Sequence, residues 1–327
     1  MKKRIAIAPG DPAGIGYEIS AKAIQSMRDE LSTVIPVVYA QKALWLRACE
    51  LFAPGLEMTI VEDIEEATDS SRVYLIDSYA GYDVNRFSAG KQDAESARCA
   101  HNALMAIVRD GKSGALSGIC TGPIHKGAMR LAGVQDIGHT EMLANGFGSQ
   151  RPMTLFITRG LRIFFYSRHL SLRQAIDALN VADVIRFGEE MSEQMKQLGF
   201  AHPHLAMAAL NPHASDGGQF GTEESEILEP AARALRARGI DMSDPIGADS
   251  VFAQAASGRY DAVLSLYHDQ GHIAAKTYDF ERTISATLGL PILRTSVDHG
   301  TAYDIAWRGE AQKISMETAL KELIRYI

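Results

Sequence analysis

Residues 266–272 read LYHDQGH, two imidazoles and a carboxylate at the mouth of an apolar run. His169 in YSRHL and His213 in NPHASD also stand just beyond apolar runs, as does His268 here. Tens of residues separate these histidines, so no helix can place two of them on one face. Neutral imidazole is a good ligand for zinc, cobalt, nickel or iron, and three such ligands with an open position describe a catalytic metal site. The same residues could equally be unrelated surface histidines among the ten in the chain. Asp216 and Asp249 could orient metal-bound imidazoles, or serve as loop acids and helix caps. Groups suited to an anion are His139 and Thr140 in GHTE, Lys276 in AAKT and Arg294 in LRTS. An unpaired buried guanidinium is costly, so Arg294 needs a carboxylate or phosphate, internal or bound.

The elements that must position these groups show in the hydrophobic pattern. Apolar, β-branched runs occur at 4–8, 34–40, 72–77, 115–122, 153–158, 161–167, 204–210, 262–268 and 291–296. Stretches with helical spacing lie between most of them, as at 17–29, 93–110, 172–197 and 223–238. Strand alternating with helix argues an α/β fold with a largely parallel sheet. Arg159-Gly160 predicts a hairpin, which makes the sheet mixed. Polar clusters follow six of the runs: 10–16, 121–127, 167–172, 211–218, 268–272 and 296–304. Ligands bind outside the carboxyl ends of strands in open α/β sheets, so these clusters point to one site. GDPAGIG at 10–16 is not the GxGxxG fingerprint, and Tyr17 stands where a P-loop would continue with lysine and a hydroxyl residue. It reads as a tight strand-to-helix turn or as a loop whose amides face an anion.

A chain of 327 residues suits two domains or one large α/β unit. Hydrophobic residues at 46% and charged residues at 22% fit a soluble globular protein. The net charge of -7 and the absence of a basic block argue against nucleic acid. Pro9 and Gly10 cut short the apolar run after the leading lysines, which argues against a signal peptide or a membrane span. Cys49, Cys99 and Cys120 are scattered, as expected of a reducing, cytoplasmic location.

PGDPAGIG, TGPIHKG, GHTE, NPHASDGGQFGTEE, YHDQGH and TLGLPILRTSVDHGTAYDIA together resemble the PdxA family nearly end to end. The resemblance implies a two-domain fold like that of the isocitrate and isopropylmalate dehydrogenases. It implies mixed, mostly parallel sheets around an interdomain cleft, in a homodimer whose subunits share each active site. The expected domains are 1–127 with 300–327, carrying the nucleotide loop, and 128–299 for metal, substrate and dimerisation. His169, His213 and His268 become the ligands of one divalent metal, zinc foremost, with magnesium, manganese or cobalt as alternatives. His139, Thr140, Lys276 and Arg294 become substrate contacts. SVDHGTAYDIA also looks like the nucleotide loop of the isopropylmalate-type enzymes, with His299, Gly300, Thr301, Ala302 and Asp304 on it. A carboxylate such as Asp304 accepts from ribose hydroxyls and repels a 2′-phosphate, which favours NAD over NADP. Asp304 could instead cap the terminal helix.

Ser285 is a departure, because the biosynthetic members carry asparagine at this substrate-contacting position. One hydroxyl cannot reproduce an amide's donor and acceptor pair. His125-Lys126-Gly127, in contrast, matches the biosynthetic pattern. The expected reaction is NAD-dependent oxidation, with decarboxylation, of a 3-hydroxy acid. The substrate would be 4-phosphooxy-L-threonine or threonate or erythronate 4-phosphate, with a carboxylated cis-dihydrodiol as the alternative. Asp249 and Lys276 are the candidates for proton transfer, Gly271 reads as a turn residue, and His272 as structural. From other classes, a metal-dependent hydrolase would use the three histidines without the 299–304 loop, and a phosphate-sugar sensor would bind its ligand without forming NADH.

Overall fold

The computed structural model describes residues 2–327. Its strands are β1 (Arg4–Ala8), β2 (Ile35–Ala40), β3 (Met58–Val61), β4 (Val73–Asp77), β5 (Gly118–Thr121), β6 (Met153–Thr158), β7 (Leu161–Phe165), β8 (Leu205–Ala208), β9 (Met242–Ile246), β10 (Ala262–Ser265), β11 (Ile284–Leu288) and β12 (Leu293–Val297). Its helices are α1 (Gly16–Ser26), α2 (Arg28–Leu31), α3 (Lys42–Phe52), α4 (Ala94–Lys112), α5 (Lys126–Leu131), α6 (His139–Phe147), α7 (Leu172–Asp177), α8 (Val181–Gln197), α9 (Glu229–Ala237), α10 (Ala248–Ala256), α11 (His268–Tyr278) and α12 (Ile314–Tyr326). They form two compact units, one running through Pro152 and resuming as Ile284–Ile327, the other Met153–Thr283.

In the first unit the strand order is β3-β4-β2-β1-β5-β12-β11. Neighbours are parallel except β11, which runs antiparallel to β12. The β1 sequence RIAIA and the β2 sequence IPVVYA are almost wholly buried, as parallel strands covered on both faces must be. Helix α4 supplies part of that cover. Asp93 caps it by accepting from the Ser96 amide, and Ala100, Ala103, Leu104 and Ile107 join the core with Val37 and Tyr39.

The second unit has the order β6-β7-β10-β8-β9, parallel except for the β6–β7 hairpin. Arg159 and Gly160 sit at φ 46° and 87°, the left-handed pair that a two-residue hairpin turn requires. The expected hairpin is therefore present.

Several expectations need correction. The units divide at 152/153 and 283/284, not at 127/128 and 299/300, because α6 packs on α4 and β12 pairs with β5. Strands β3, β9 and β11 lie outside the apolar runs. β3 and β9 end their sheet orders and are only partly buried, and β11 alternates Ser285 and Thr287 with apolar residues. The stretch 172–197 is two helices, because the Asn180 side chain accepts from the Asp183 amide and starts α8 afresh. Gly271 lies inside α11 rather than in a turn. A Cβ there would stand 2.5 Å from Phe165 Cε1 and 2.9 Å from Ile163 Cγ2, so glycine lets the helix lie against β7. Among the described residues, no helix is long and apolar enough to cross a membrane.

Candidate active site

The strand ends collect the polar clusters into two sets. In the first unit β1, β5 and β12 are parallel neighbours, and their carboxyl ends lead into residues 10–16, 122–127 and 298–304. In the second unit β7, β10 and β8 are parallel neighbours, and they lead to His169, His268 and His213. Of the six clusters expected to form one site, three stand in each unit.

The three histidines are exposed. His268 opens α11, and its Nδ1 lies 2.7 Å from Asp269 Oδ1, which leaves Nε2 for another partner. Its ring stacks on His272 at 3.7 Å, and His272 packs edge-on to Phe156. Asp269, rather than Asp216 or Asp249, is the carboxylate on this imidazole. His213 sits on a loop in which residues 213–216 all have positive φ, 54°, 52°, 66° and 45°. Non-glycine residues held there store roughly 1 kcal/mol or more each. Glu224, fully buried, ties the loop down by accepting from the Leu210 and Asn211 amides and from Asn211 Nδ2, each at 2.8 Å. The donors suit a divalent metal, but among the described residues no group of three or more His, Cys, Asp or Glu within one chain is placed to hold one.

His268, His272 and Lys276 follow at four-residue spacing along α11 and so share one face. Asp249 lies in the first turn of α10 and is exposed. It borders a mainly apolar cavity of about 610 Å³ that is also lined by Phe252, Gln270, Ile273 and Tyr278.

The anion-binding expectation is sharpest at Arg294. It lies within β12, 5% exposed. Its Nε and Nη2 donate to Thr121 Oγ1 at 3.1 and 2.8 Å, and its Nη1 donates to Thr287 Oγ1 at 3.0 Å. All of these acceptors are neutral. Burial draws its pKa down to about 10, against the raising influence of Cys120 and Glu141. His139 begins α6, is buried, and has no partner at Nε2. Burial, with the nearby Arg294 charge, holds its pKa well below the usual imidazole value, so it stays neutral. Thr140 follows it, half-buried, and Ser285 pairs across the sheet with Ser296 on the face shared with Arg294 and Thr287.

The expected nucleotide loop, 299–304, follows β12. A Cβ at Gly300 would meet nothing within 4 Å, so its backbone is open to approach, and Asp304 is exposed. Asp304 stands ten residues before Ile314, the first residue of α12, and does not cap that helix. The amides of Asp11, Ala13, Gly14 and Ile15 are bonded within the protein and do not face an anion. Asp11 N donates to Pro123 O, Ala13 N to Asp11 Oδ1, Gly14 N to Asp11 O and Ile15 N to Thr301 O. The tight-turn reading of the glycine loop holds.

The family model described as pyridoxal phosphate biosynthetic protein PdxA matches residues 32–323. The chain belongs to the PdxA family. It is 43% identical over 319 residues to a Cutibacterium acnes protein provisionally named D-threonate 4-phosphate dehydrogenase, covering 97% of this chain and 91% of that one. The crystal structure of a Klebsiella pneumoniae 4-hydroxythreonine-4-phosphate dehydrogenase matches with a TM-score of 0.88 at 35% identity, covering 99% of this chain and 100% of that one. A terephthalate 1,2-cis-dihydrodiol dehydrogenase from Burkholderia xenovorans matches with a TM-score of 0.68 at 27% identity, covering 99% and 98%.

As a PdxA-family member the chain is an oxidoreductase, and the hydrolase and sensor readings fall. Sequence reasoning about this PdxA chain passed over Thr121 and Thr287, because nothing local marks a hydroxyl as the partner of a distant arginine. It likewise gave no role to Asp11 or Tyr303, although both stand inside motifs it quoted.

Proposed function

We propose that this PdxA-family enzyme oxidises a 4-phosphorylated four-carbon hydroxy acid, with NAD as acceptor and a divalent metal as cofactor. Threonate 4-phosphate is the preferred substrate, ahead of erythronate 4-phosphate and 4-phosphooxy-L-threonine. The curated relatives' names support threonate 4-phosphate as the first choice, and so does Ser285 in place of the asparagine of biosynthetic members. The observation that carries the reading is Arg294. A guanidinium buried among neutral hydroxyls keeps its full charge for an anion that comes from outside.

His139, Thr140, Lys276 and Arg294 grip the phosphate and carboxylate and set the reacting geometry. Asp249 or Lys276 takes the proton of the secondary alcohol as hydride leaves its carbon for nicotinamide. Gly300 and its small neighbours Thr301 and Ala302 admit the nucleotide beside His299, and Asp304 takes its ribose hydroxyls. His169, His213 and His268 hold the metal, zinc first among the candidates, which supplies Lewis acidity toward an alcohol or ketone oxygen. The ligand set is completed between the two copies of a homodimer, consistent with the open set within one chain. A hydroxyl β to the carboxylate gives a β-keto acid, from which CO2 departs readily.

The test is NADH absorbance with threonate, erythronate and hydroxythreonine 4-phosphates and a carboxylated cis-dihydrodiol, each with zinc, manganese or magnesium. Threonate 4-phosphate should give the highest kcat/KM. A preference for the dihydrodiol would transfer the assignment to that class, and no NADH with any of them would sink the NAD reading.

A further inference from the structure

Three polar loops of the first unit are bonded into one another more tightly than a surface turn requires. Asp11 is wholly buried. Its Oδ2 accepts from the Tyr303 hydroxyl at 2.6 Å, and its Oδ1 accepts from the Ala13 amide at 2.9 Å. The Tyr303 ring stacks on His125 of the loop after β5, with centroids 5.1 Å apart and 27° between planes. Asp11 N reaches the same loop at Pro123 O, 2.9 Å away. Ile15 N donates to Thr301 O at 2.9 Å, and Trp307 Nε1 donates to Pro12 O at 2.7 Å. A Cβ on Gly14 would stand 2.7 Å from Thr301 O, so glycine is needed for the chain to lie this close.

We infer that Asp11 is a positioning residue for the nucleotide: its bond to Tyr303 latches the 299–304 loop onto the glycine loop and so sets the affinity for NAD. The inference rests on the reading of 299–304 as the nucleotide loop. Tyr303 lies between Ala302 and Asp304, two residues that reading assigns to the cofactor. Ala302 has φ 41° and Trp307 φ 63°, so the segment is held in backbone states that non-glycine residues leave when they are not restrained. The bonds from Asp11, Ile15 and Pro12 supply that restraint. The glycine loop, with the amides of Asp11, Ala13, Gly14 and Ile15 already bonded, acts as a socket for the nucleotide loop rather than as a phosphate cradle.

The test uses Asp11→Asn and Tyr303→Phe in the full-length protein. Asp11→Asn keeps an acceptor oxygen for Ala13 N but reverses the second bond, so that a neutral amide donates to Tyr303 Oη where a carboxylate accepted from it; the latch loses its charge-assisted bond. Tyr303→Phe removes the hydroxyl and keeps the ring on His125. Each should raise the Kd and KM for NAD roughly tenfold with kcat changed less than about twofold, and the double variant should be no worse than either single one. Amide hydrogen exchange across 301–305 should quicken by about tenfold without NAD present. If Asp11→Asn does not fold, Tyr303→Phe carries the test. If the unaltered protein binds NAD and Tyr303→Phe binds it equally well, the latch is overturned and the nucleotide reading stands. If the unaltered protein shows no NAD binding at all, the nucleotide reading itself fails, and the inference with it.

Discussion

Arg294 concentrates the conflict between stability and function in one side chain. Its guanidinium is removed from water and held by Thr121 and Thr287, and no carboxylate bonds to it. Breaking an ion pair by removing one partner is destabilising, but among the described residues no carboxylate is bonded to Arg294 to be orphaned, and Glu141 acts only from a distance. An apolar side chain of similar length escapes the cost of holding a charge out of water, and even whole buried ion pairs are often replaced by apolar residues with no loss or with a gain of about 1–4 kcal/mol. Against this stands the loss of hydrogen bonds to two hydroxyls, about 1 kcal/mol each. Arg294→Met should therefore leave the melting temperature unchanged or raise it. The KM for the phosphorylated acid should rise by about a hundredfold or more, the penalty for losing a charged, buried contact. Inorganic phosphate should raise the melting temperature of the unaltered protein and leave the variant's unmoved. A variant that unfolds several degrees earlier and still responds to phosphate would mean that Arg294 is a structural residue.

At the scale of elements, α11 shows how packing overrides local preference. Alanine is the better helix former by about 1 kcal/mol, so Gly271→Ala on an isolated helix would stabilise it. In the protein the added methyl meets Phe165, Ile163 and the Ser265 hydroxyl, and overpacking costs roughly 1–3 kcal/mol. The packing term wins. Gly271→Ala should lower the denaturant midpoint with an unchanged slope, and it should weaken metal binding by shifting His268. A variant as stable as the parent would refute this account of the helix. The same element shows what was legible in the sequence. The strand before it and the polar cluster after it were plain, because burial on both faces forces an unbroken apolar run. The helix beginning at His268 was not, because HDQGH carries no apolar periodicity and its glycine mimics a turn. β9 was hidden by Asp244 and Pro245, which an edge strand tolerates. At the site, motif likeness flagged His139 and Arg294. The hydroxyl partners of Arg294 depend on the β11–β12 register and on β5 pairing beside β12, which only tertiary structure supplies.

At the scale of the whole molecule, the proposed metal site requires three histidines from three loops to meet around one ion. The topology brings their loops to neighbouring strand ends, but no group of three ligand residues able to hold a metal is found among the described residues of one chain. The twofold dimer proposed above, in which each site draws on both copies, would complete the ligand set, and it makes a sharp prediction. His169→Ala, His213→Ala and His268→Ala should each abolish zinc binding and activity. Suppose two ligands of a site come from one copy and the third from the other. Mixing a variant of the first kind with a variant of the second gives heterodimers in which one site carries both lesions and the other carries none. Random exchange then restores up to about a quarter of full activity, since about half the dimers are mixed and one of their two sites is intact. Mixing the two variants of the first kind leaves every site damaged. Two of the three pairings should therefore recover activity after denaturation and refolding together, the third should not, and the silent pairing identifies the histidines that share a chain. Recovery in none of them would place all three ligands in one copy and require that chain to rearrange around the metal.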